Sequence, residues 1–220
     1  MPEPDSFHIS WVNERAATFD LHGPATLERQ RRIWTMAAHF RTRPHVREVV
    51  PGMNNLGIEL DPASPDSDRL PDELRAAWLD SVAAEQSSRE VDIPVEYGGD
   101  AGPDLDEVAR HSGLSPSEVV RLHVAGRYTV YFLGFLPGFA YLGGLDPRLA
   151  TPRRREPRLA VPAGSVGIGG EQTGVYPWVS PGGWQLIGRT TLRLFDASSP
   201  SPALLATGDT VRFVDAGGGS

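Results

Sequence analysis

The chain lacks two residue types entirely, cysteine and lysine, and all 21 of its basic residues are arginine. Without cysteine it has no disulfide bond, no thiolate nucleophile and no zinc–thiolate site. Without lysine it has neither a Schiff-base lysine nor the lysine of a phosphate-binding P-loop. Functions that depend on these groups are therefore excluded.

Long apolar runs are also absent. No run approaches the roughly 18 residues that a membrane-spanning helix requires. Residues 1–20 lack the basic start and apolar middle of a signal peptide. With 40% hydrophobic and 22% charged residues, the composition is that of a globular protein that buries a core. We therefore predict a cytoplasmic protein without a membrane partner.

The charge balance argues against nucleic-acid binding. The net charge is −7, which repels nucleic-acid phosphates unless a local basic patch exists. The densest basic cluster is Arg153-Arg154-Arg155 with Arg158, which we interpret as a surface or interface loop because charge runs usually face solvent. Residues 105–125 resemble a helix-turn-helix, but the second helix would begin with Ser115 to Glu118 rather than with base-reading side chains. We predict no nucleic-acid partner.

The first part of the chain mixes short strand and helix patterns. Apolar residues at helical spacing predict one helix after Pro24 and a second over residues 73–85, the latter with Leu74, Trp78, Leu79 and Val82 on one side. Strands are predicted at Phe7 to Trp11, Ala17 to Leu21, His45 to Val50, Asn54 to Leu60 and Val91 to Tyr97. This order fits a split β-α-β arrangement, as in ferredoxin-like domains.

The second part of the chain changes character. Two short helices are predicted at Asp104 to His111 and Pro116 to Val124, with Ser115 as the N-cap of the second. From Arg127 onward, strand patterns such as YTVYFLGF, TTLRLFD and TVRFV alternate with glycine- and proline-rich connections, which favours a closed or nearly closed β-barrel. We therefore predict an α+β protein with domains at residues 1–92 and 93–216 and a disordered tail at 217–220.

Familiar catalytic motifs fail in this sequence. AGSVG at residues 163–167 departs from the G-x-S-x-G nucleophile elbow at Ala163, and no strand–turn–helix pattern surrounds Ser165. GSVGIGGE is not a P-loop, because no Lys-Ser or Lys-Thr pair follows its last glycine. It is not G-x-G-x-x-G either, because Gln172 occupies the position of the third glycine. The six histidines show no metal-ligand spacing, so no metal site is predicted. His123 is either a buried, hydrogen-bonded residue or a catalytic one.

One segment, Val161 to Gly188, combines many glycines with three prolines and bulky aromatics. Glycine lets backbone approach a ligand or another backbone closely, and proline lowers the entropy lost on fixing a loop. Tyr176 and Trp184 supply apolar walls with polar tips. Together these features predict rigid loops around a concave, partly apolar site. Tight barrel corners packed by aromatic side chains are the alternative.

Residues 128–196 resemble the KipI family, which is also called the 5-oxoprolinase B subunit or allophanate hydrolase subunit 1-like family. The resemblance is carried by GFLPGFAYLGGL, PRLAVPAGSVGI, TGVYPWVSPGGWQLIGRT and LFD, and it extends through VREVVPG and VDIPVEYGG. It implies a small ferredoxin-like N-terminal domain followed by a cyclophilin-like β-barrel. Asn13-Glu14 stands where members usually carry a Gly-Asp pair in the first turn.

The resemblance also implies an enzyme component that is inactive, or nearly so, alone. Together with the homologous barrel protein (the C subunit) and a third protein (the A subunit), it would hydrolyse 5-oxo-L-proline to L-glutamate at the expense of ATP with Mg²⁺. The resemblance leaves open whether ATP and Mg²⁺ bind this chain or only the assembled complex. A lactam is a poor electrophile, so phosphoryl transfer to its oxygen would create a carbon that water can attack. Such a site needs cationic donors and a general acid or base.

Candidate site residues follow from this resemblance. Arg189 is the expected cationic donor and His123 the expected acid or base. Backbone N–H groups of Gly164, Ser165, Gly182 and Gly183 would face oxyanions. The residues expected to bind the small-molecule substrate are Phe135, Pro137, Gly138, Tyr141, Pro162, Gly164, Ser165, Gln172, Tyr176, Pro181, Gly182, Gly183, Trp184 and Thr190.

Two alternatives stay open. The family's namesake inhibits a sporulation histidine kinase, so a regulator that binds a sensor histidine kinase is the second hypothesis. Allophanate hydrolysis is the third, and the absence of lysine argues against the Ser-Ser-Lys amidase chemistry that it would need.

Overall fold

A computed structural model describes residues 6–63, 67–84 and 88–217. The chain divides into two compact units, Met1–Gln86 and Ser87–Ser220. Among the described residues, no helix is both long and apolar enough to cross a membrane. Apart from Gly217, the predicted tail lies outside the described residues.

The first unit is an antiparallel sheet with two helices. The sheet has the strand order β1-β2-β4-β3. Its buried residues form one core together with the inner faces of both helices. In chain order the elements are β1 (Phe7–Trp11), β2 (Ala16–Leu21), α1 (Leu27–Arg41), β3 (Val46–Pro51), β4 (Asn55–Leu60) and α2 (Leu70–Asp80).

Polar side chains set the turns and helix starts of this unit. Asn13 accepts hydrogen bonds from the backbone N–H groups of Arg15 and Ala16, both at 2.8 Å, so an asparagine turn joins β1 to β2. The first helix begins after Thr26, not directly at Pro24, because the Thr26 hydroxyl accepts the N–H of Arg29. Such a cap satisfies a backbone donor that a helix start leaves unpaired.

The second unit is built around a closed seven-stranded barrel with the order β10-β7-β6-β13-β5-β12-β9. A separate two-stranded sheet pairs β11 with β8. Two α-helices pack on the barrel, α3 against β12 and α4 against β13. The elements are β5 (Glu90–Tyr97), α3 (Leu105–Ser112), α4 (Pro116–Ala125), β6 (Tyr128–Leu133), β7 (Ala140–Gly143), β8 (Arg158–Val161), β9 (Ser165–Gly169), β10 (Gln172–Val175), β11 (Ser180–Gly182), β12 (Gln185–Arg189) and β13 (Thr210–Asp215).

The barrel prediction is confirmed, as is Ser115 as the N-cap of α4, where it forms a capping box with Glu118. The ferredoxin-like prediction is not confirmed. It required the strand ending at Tyr97 to join the first sheet, whereas β5 pairs in parallel with β13 and antiparallel with β12 in the barrel. The predicted boundary between residues 92 and 93 falls inside this strand.

Two local predictions differ from the structure. The stretch TTLRLFD, residues 190–196, contributes only an isolated bridge between Phe195 and Ala203 rather than a strand. The second helix ends at Asp80, earlier than predicted, and Leu79 and Val82 are exposed while Leu74 and Trp78 are buried. A helix that stops one turn sooner leaves Val82 outside the apolar face.

Candidate functional site

The glycine-rich segment Val161 to Gly188 is tightly packed. Gly164 has φ +81°, and a Cβ built there would lie 2.1 Å from the Thr190 carbonyl oxygen. The backbone at this corner is therefore pressed against a neighbouring backbone rather than against an open space. Only glycine fits such a close approach at a positive φ.

Aromatic side chains fill the interior next to this segment. Phe139, Tyr176 and Trp184 are nearly fully buried and meet edge to face, with ring centroids 5.3 to 6.3 Å apart. They form a small core of their own, against which Tyr141 packs from one side. Phe135 lies at the rim, 58% exposed, with its ring edge-on to Phe139 and Tyr176. The predicted walls of a pocket are thus in contact with one another.

Two of the backbone donors expected to face an oxyanion are used within the fold. The N–H of Gly164 donates to the carbonyl of Tyr176 at 2.7 Å, and the N–H of Ser165 donates to the carbonyl of Pro162 at 3.3 Å. Gly182 lies in β11, paired with Arg158 of β8. The carbonyl of Gly183 accepts the N–H of Arg154 at 2.7 Å. This last hydrogen bond ties the segment to the loop of residues 151–156, which carries Arg153, Arg154 and Arg155 and is called the arginine loop below.

His123 belongs to α4 and is fully buried, with 0% exposure. Its Nε2 is 3.0 Å from the Thr173 hydroxyl, and its Nδ1 is 2.7 Å from the Tyr97 hydroxyl. Because the Thr173 hydroxyl donates its proton to the Gly167 carbonyl at 2.9 Å, it accepts from His123, so the proton sits on Nε2 and Tyr97 donates to Nδ1. The ring also stacks on Phe213 at 4.4 Å.

Burial also determines the protonation states of His123 and Tyr97. Desolvation lowers the pKa of His123 to about 3 and raises the pKa of Tyr97, so both stay neutral near pH 7. A neutral imidazole with both nitrogens hydrogen-bonded and no solvent access matches the structural interpretation of His123.

The other predicted site residues are scattered around the packed segment. Arg189 is exposed, and its Nε donates to the Ala163 carbonyl at 3.2 Å. Thr190 is buried and its hydroxyl accepts the N–H of Leu192 at 3.2 Å. Gln172 has a buried Nε2 without a hydrogen-bond partner among the described residues. Gly138 is buried, and the three predicted prolines, Pro137, Pro162 and Pro181, are exposed.

The second unit contains a cavity of about 700 Å³ that none of the predicted site residues lines. One wall is α3 and the residue before it, and the opposite wall is the loop between β7 and β8. Gln185 at the start of β12 completes the lining. The residues are Asp104, Glu107, Arg110, His111, Thr151, Pro152, Arg153, Arg154, Arg155, Glu156 and Gln185.

Asp104 organises the charge on this cavity. It is 5% exposed. Its carboxylate accepts hydrogen bonds from Nη1 and Nη2 of Arg158, both at 2.8 Å, from Nη1 of Arg154 at 3.1 Å, and from the backbone N–H of Leu186 at 2.7 Å. A paired arginine–carboxylate geometry of this kind is among the strongest charge-assisted contacts. It holds the arginine loop against β12.

The remaining guanidinium groups are differently placed. Arg110 pairs with Glu107 on the same helix. Arg153 and Arg155 make no ion pair with any described residue, and the guanidinium of Arg153 lies 5.9 Å from the Trp184 ring centroid. A concave surface that carries unpaired guanidinium groups can bind carboxylate or phosphoryl oxygens.

The sequence feature that points to this site is the run Arg153-Arg154-Arg155. The arginine run was the densest basic cluster, but a charge run by itself predicts a solvent-facing loop. Asp104, which anchors Arg154 and Arg158, lies about 50 residues earlier in the chain. Only the tertiary fold brings α3 beside the loop.

Comparison with known proteins shows which family the chain resembles. Residues 7–205 match the family model described as "Carboxyltransferase domain, subdomain C and D". The chain is 54% identical over 204 residues to a 5-oxoprolinase B subunit of Escherichia coli O157:H7, covering 92% of this chain and 93% of that protein. It is 45% identical to a 5-oxoprolinase B subunit of Haemophilus influenzae, covering 92% and 95%. The predicted resemblance is therefore confirmed.

Solved structures agree with the fold. The chain resembles the crystal structure of TTHA0988 with a TM-score of 0.76 at 38% identity, covering 93% of this chain and only 40% of that longer chain. The structure of the K. lactis urea amidolyase matches with a TM-score of 0.78 at 20% identity, covering 96% of this chain and 15% of that one. The second likeness concerns the fold alone.

Proposed function

Because the chain belongs to the carboxyltransferase-domain family of subdomains C and D, we propose that it is the B subunit of an ATP-dependent 5-oxoprolinase. In this role it works with the homologous barrel protein, the C subunit, and with the A subunit to hydrolyse 5-oxo-L-proline to L-glutamate. The observation that carries the proposal is the 54% identity to a protein named as a 5-oxoprolinase B subunit over 93% of that protein's length. No observation favours the histidine-kinase inhibitor.

The chemistry of the reaction requires positive charge. A phosphoryl group passes from ATP to the lactam oxygen, and water adds to the activated carbon. The ring C–N bond then breaks as the nitrogen takes up a proton, which leaves a γ-acyl phosphate, and a second water hydrolyses it to glutamate and phosphate. Guanidinium groups can hold either the substrate carboxylate or the phosphoryl oxygens during these steps. In this chain the arginine-lined cavity supplies such groups, with Arg154 held in place by Asp104.

The metal of the ATP complex is not assigned to this chain. Within residues 6–63, 67–84 and 88–217, no group of three or more His, Asp or Glu side chains is placed to hold a metal ion. We propose that the nucleotide and its metal bind in the assembled complex.

Reconstitution tests the proposed function. The chain is purified alone and with the homologues of the A and C subunits from the same genome, and ADP release is measured with and without 5-oxo-L-proline. We expect ADP release that depends on 5-oxo-L-proline only when all three proteins are present, and little or none from this chain alone. Absence of turnover with three folded proteins in a stable complex would overturn the proposal.

A further inference from the structure

We propose that the arginine-lined cavity binds a small carboxylate that carries an amide N–H, the chemistry of 5-oxo-L-proline. The position of this site comes from the cavity, and the choice of ligand rests on the proposed function. The site differs from the one predicted in the glycine-rich segment, since none of those candidate residues lines the cavity.

The first argument is uncompensated charge. Of the arginines that line the cavity, Arg110 and Arg154 each have a carboxylate partner, whereas Arg153 and Arg155 have none among the described residues. Glu156 also lines the cavity and reduces the positive field, but it leaves one guanidinium in excess. A planar guanidinium matches a carboxylate through two parallel hydrogen bonds. A small carboxylate is therefore the complementary ligand.

The second argument is that the loop is already positioned. The backbone N–H of Arg154 donates to Gly183, and its side chain reaches Asp104. This residue is thus fixed in the middle of the run, with Arg153 on one side and Arg155 on the other. Arg153 also lies over the Trp184 ring, which restricts its conformations. Ordering before binding reduces the entropy that a ligand has to overcome.

The third argument concerns an unpaired amide. Gln185 is 6% exposed, and its Nε2 donates to the Pro152 carbonyl at 3.0 Å. Its Oε1 is buried and has no hydrogen-bond partner among the described residues. A buried acceptor without a partner is uncommon and calls for a donor. A ligand N–H would satisfy it, and because this oxygen is shielded from solvent, binding has to open a path to it.

The same guanidinium groups could also bind the phosphoryl group of a nucleotide. The experiment therefore distinguishes binding of the substrate carboxylate from binding of phosphate. The full chain is titrated by calorimetry with 5-oxo-L-proline, with 2-pyrrolidinone, which lacks the carboxylate, with cyclopentanecarboxylate, which lacks the N–H, and with inorganic phosphate. We expect saturable binding of 5-oxo-L-proline at concentrations below about 10 mM. Binding of each of the other three probes is expected to be weaker.

Two variants and one matched control locate the site. Replacing both unpaired arginines, Arg153→Gln with Arg155→Gln, is expected to weaken binding of 5-oxo-L-proline at least about tenfold. Arg193→Gln, which removes an exposed guanidinium outside the cavity, leaves it within about twofold. Gln185→Leu is expected to reduce the preference for 5-oxo-L-proline over cyclopentanecarboxylate. Thermal unfolding of each variant checks that it is folded.

Several outcomes would overturn this site assignment. They are equal binding by the double arginine variant, no saturable binding to the native chain, or tighter binding of phosphate than of 5-oxo-L-proline. The proposed function fails separately. If the reconstituted complex turns over and the double variant has an unchanged KM, the cavity is wrong while the function stands. If the cavity binds 5-oxo-L-proline but the complete complex releases no ADP, the function is wrong while the site stands.

Discussion

Two neighbouring segments of the second unit use their unusual compositions in opposite ways. In Val161 to Gly188, glycines and aromatic rings produce close contacts between backbone and side chains, with Tyr176 and Trp184 nearly fully buried. In Thr151 to Glu156, consecutive arginines face a cavity, and two of them have no carboxylate partner among the described residues. Glycine beside aromatics marks tight packing as readily as it marks a ligand site. Unpaired charge on a concave surface is the more specific sign of binding.

The largest effect is expected from breaking the packed segment. In Gly164→Ala, the new Cβ would lie 2.1 Å from the Thr190 carbonyl oxygen at a φ of +81°, so unfolding free energy should fall by roughly 3 kcal/mol or more. Gly170→Ala is the matched control, because φ is +65° but nothing lies within 4 Å, and it should cost only about 1 kcal/mol. Urea unfolding measures both. Equal losses would mean that close packing does not explain these glycines.

A smaller effect is expected from loosening the arginine loop. Asp104→Asn removes the carboxylate shared by Arg154 and Arg158 while preserving its shape. Because both guanidinium groups remain partly solvated, the expected loss is about 2 kcal/mol, less than for a fully buried pair. Glu107→Gln, whose pair with Arg110 is exposed, should change the unfolding free energy much less. If the two variants were equivalent, Asp104 would not anchor the loop.

A third prediction is a pH dependence of the unfolding free energy, which comes from the packed side of the comparison. The folded protein keeps His123 neutral because its pKa is lowered to about 3 from 6.5, whereas the unfolded chain protonates it below its ordinary pKa. Unfolding therefore takes up a proton between these two values, and stability present above pH 6.5 is lost as the pH falls, by about 1.4 kcal/mol per pH unit.

Comparison with a variant isolates this contribution. His123→Gln cannot titrate and keeps hydrogen-bonding capacity beside Tyr97 and Thr173. Urea unfolding of both proteins from pH 7 to pH 4 should show a shallower pH dependence in the variant. An identical pH dependence would mean that His123 is accessible to protons in the folded state, which contradicts its burial.

Local sequence patterns predicted many elements because their causes are local. The Ser115 cap and the alternating residues of β1 and β4 depend on neighbours within a few positions. The partner of β5 could not be predicted in this way, since β5 pairs with β13 more than 100 residues later. An alternating strand pattern specifies a buried face but does not specify the sheet that it joins.

For the candidate site, too, the local features could be predicted and the long-range contacts could not. The family resemblance was correct, and the glycine-rich positions were correctly picked out as constrained. The sequence left two interpretations of these positions, loops around a ligand site and tight barrel corners, and the close approach of Gly164 to the Thr190 carbonyl supports the second at that position. The cavity depends on Asp104 and Gln185 meeting the arginine loop across long sequence separations, and no local pattern carries that information.

Hydrogen–deuterium exchange of the full chain with and without saturating 5-oxo-L-proline compares the two segments directly, because exchange slows where a ligand restricts local opening. We predict slower exchange in residues 151–156 and in α3, with no change in residues 174–183. Slower exchange in residues 174–183 alone, with no change in the arginine loop, would mean that the ligand binds in the glycine-rich segment and would contradict this account.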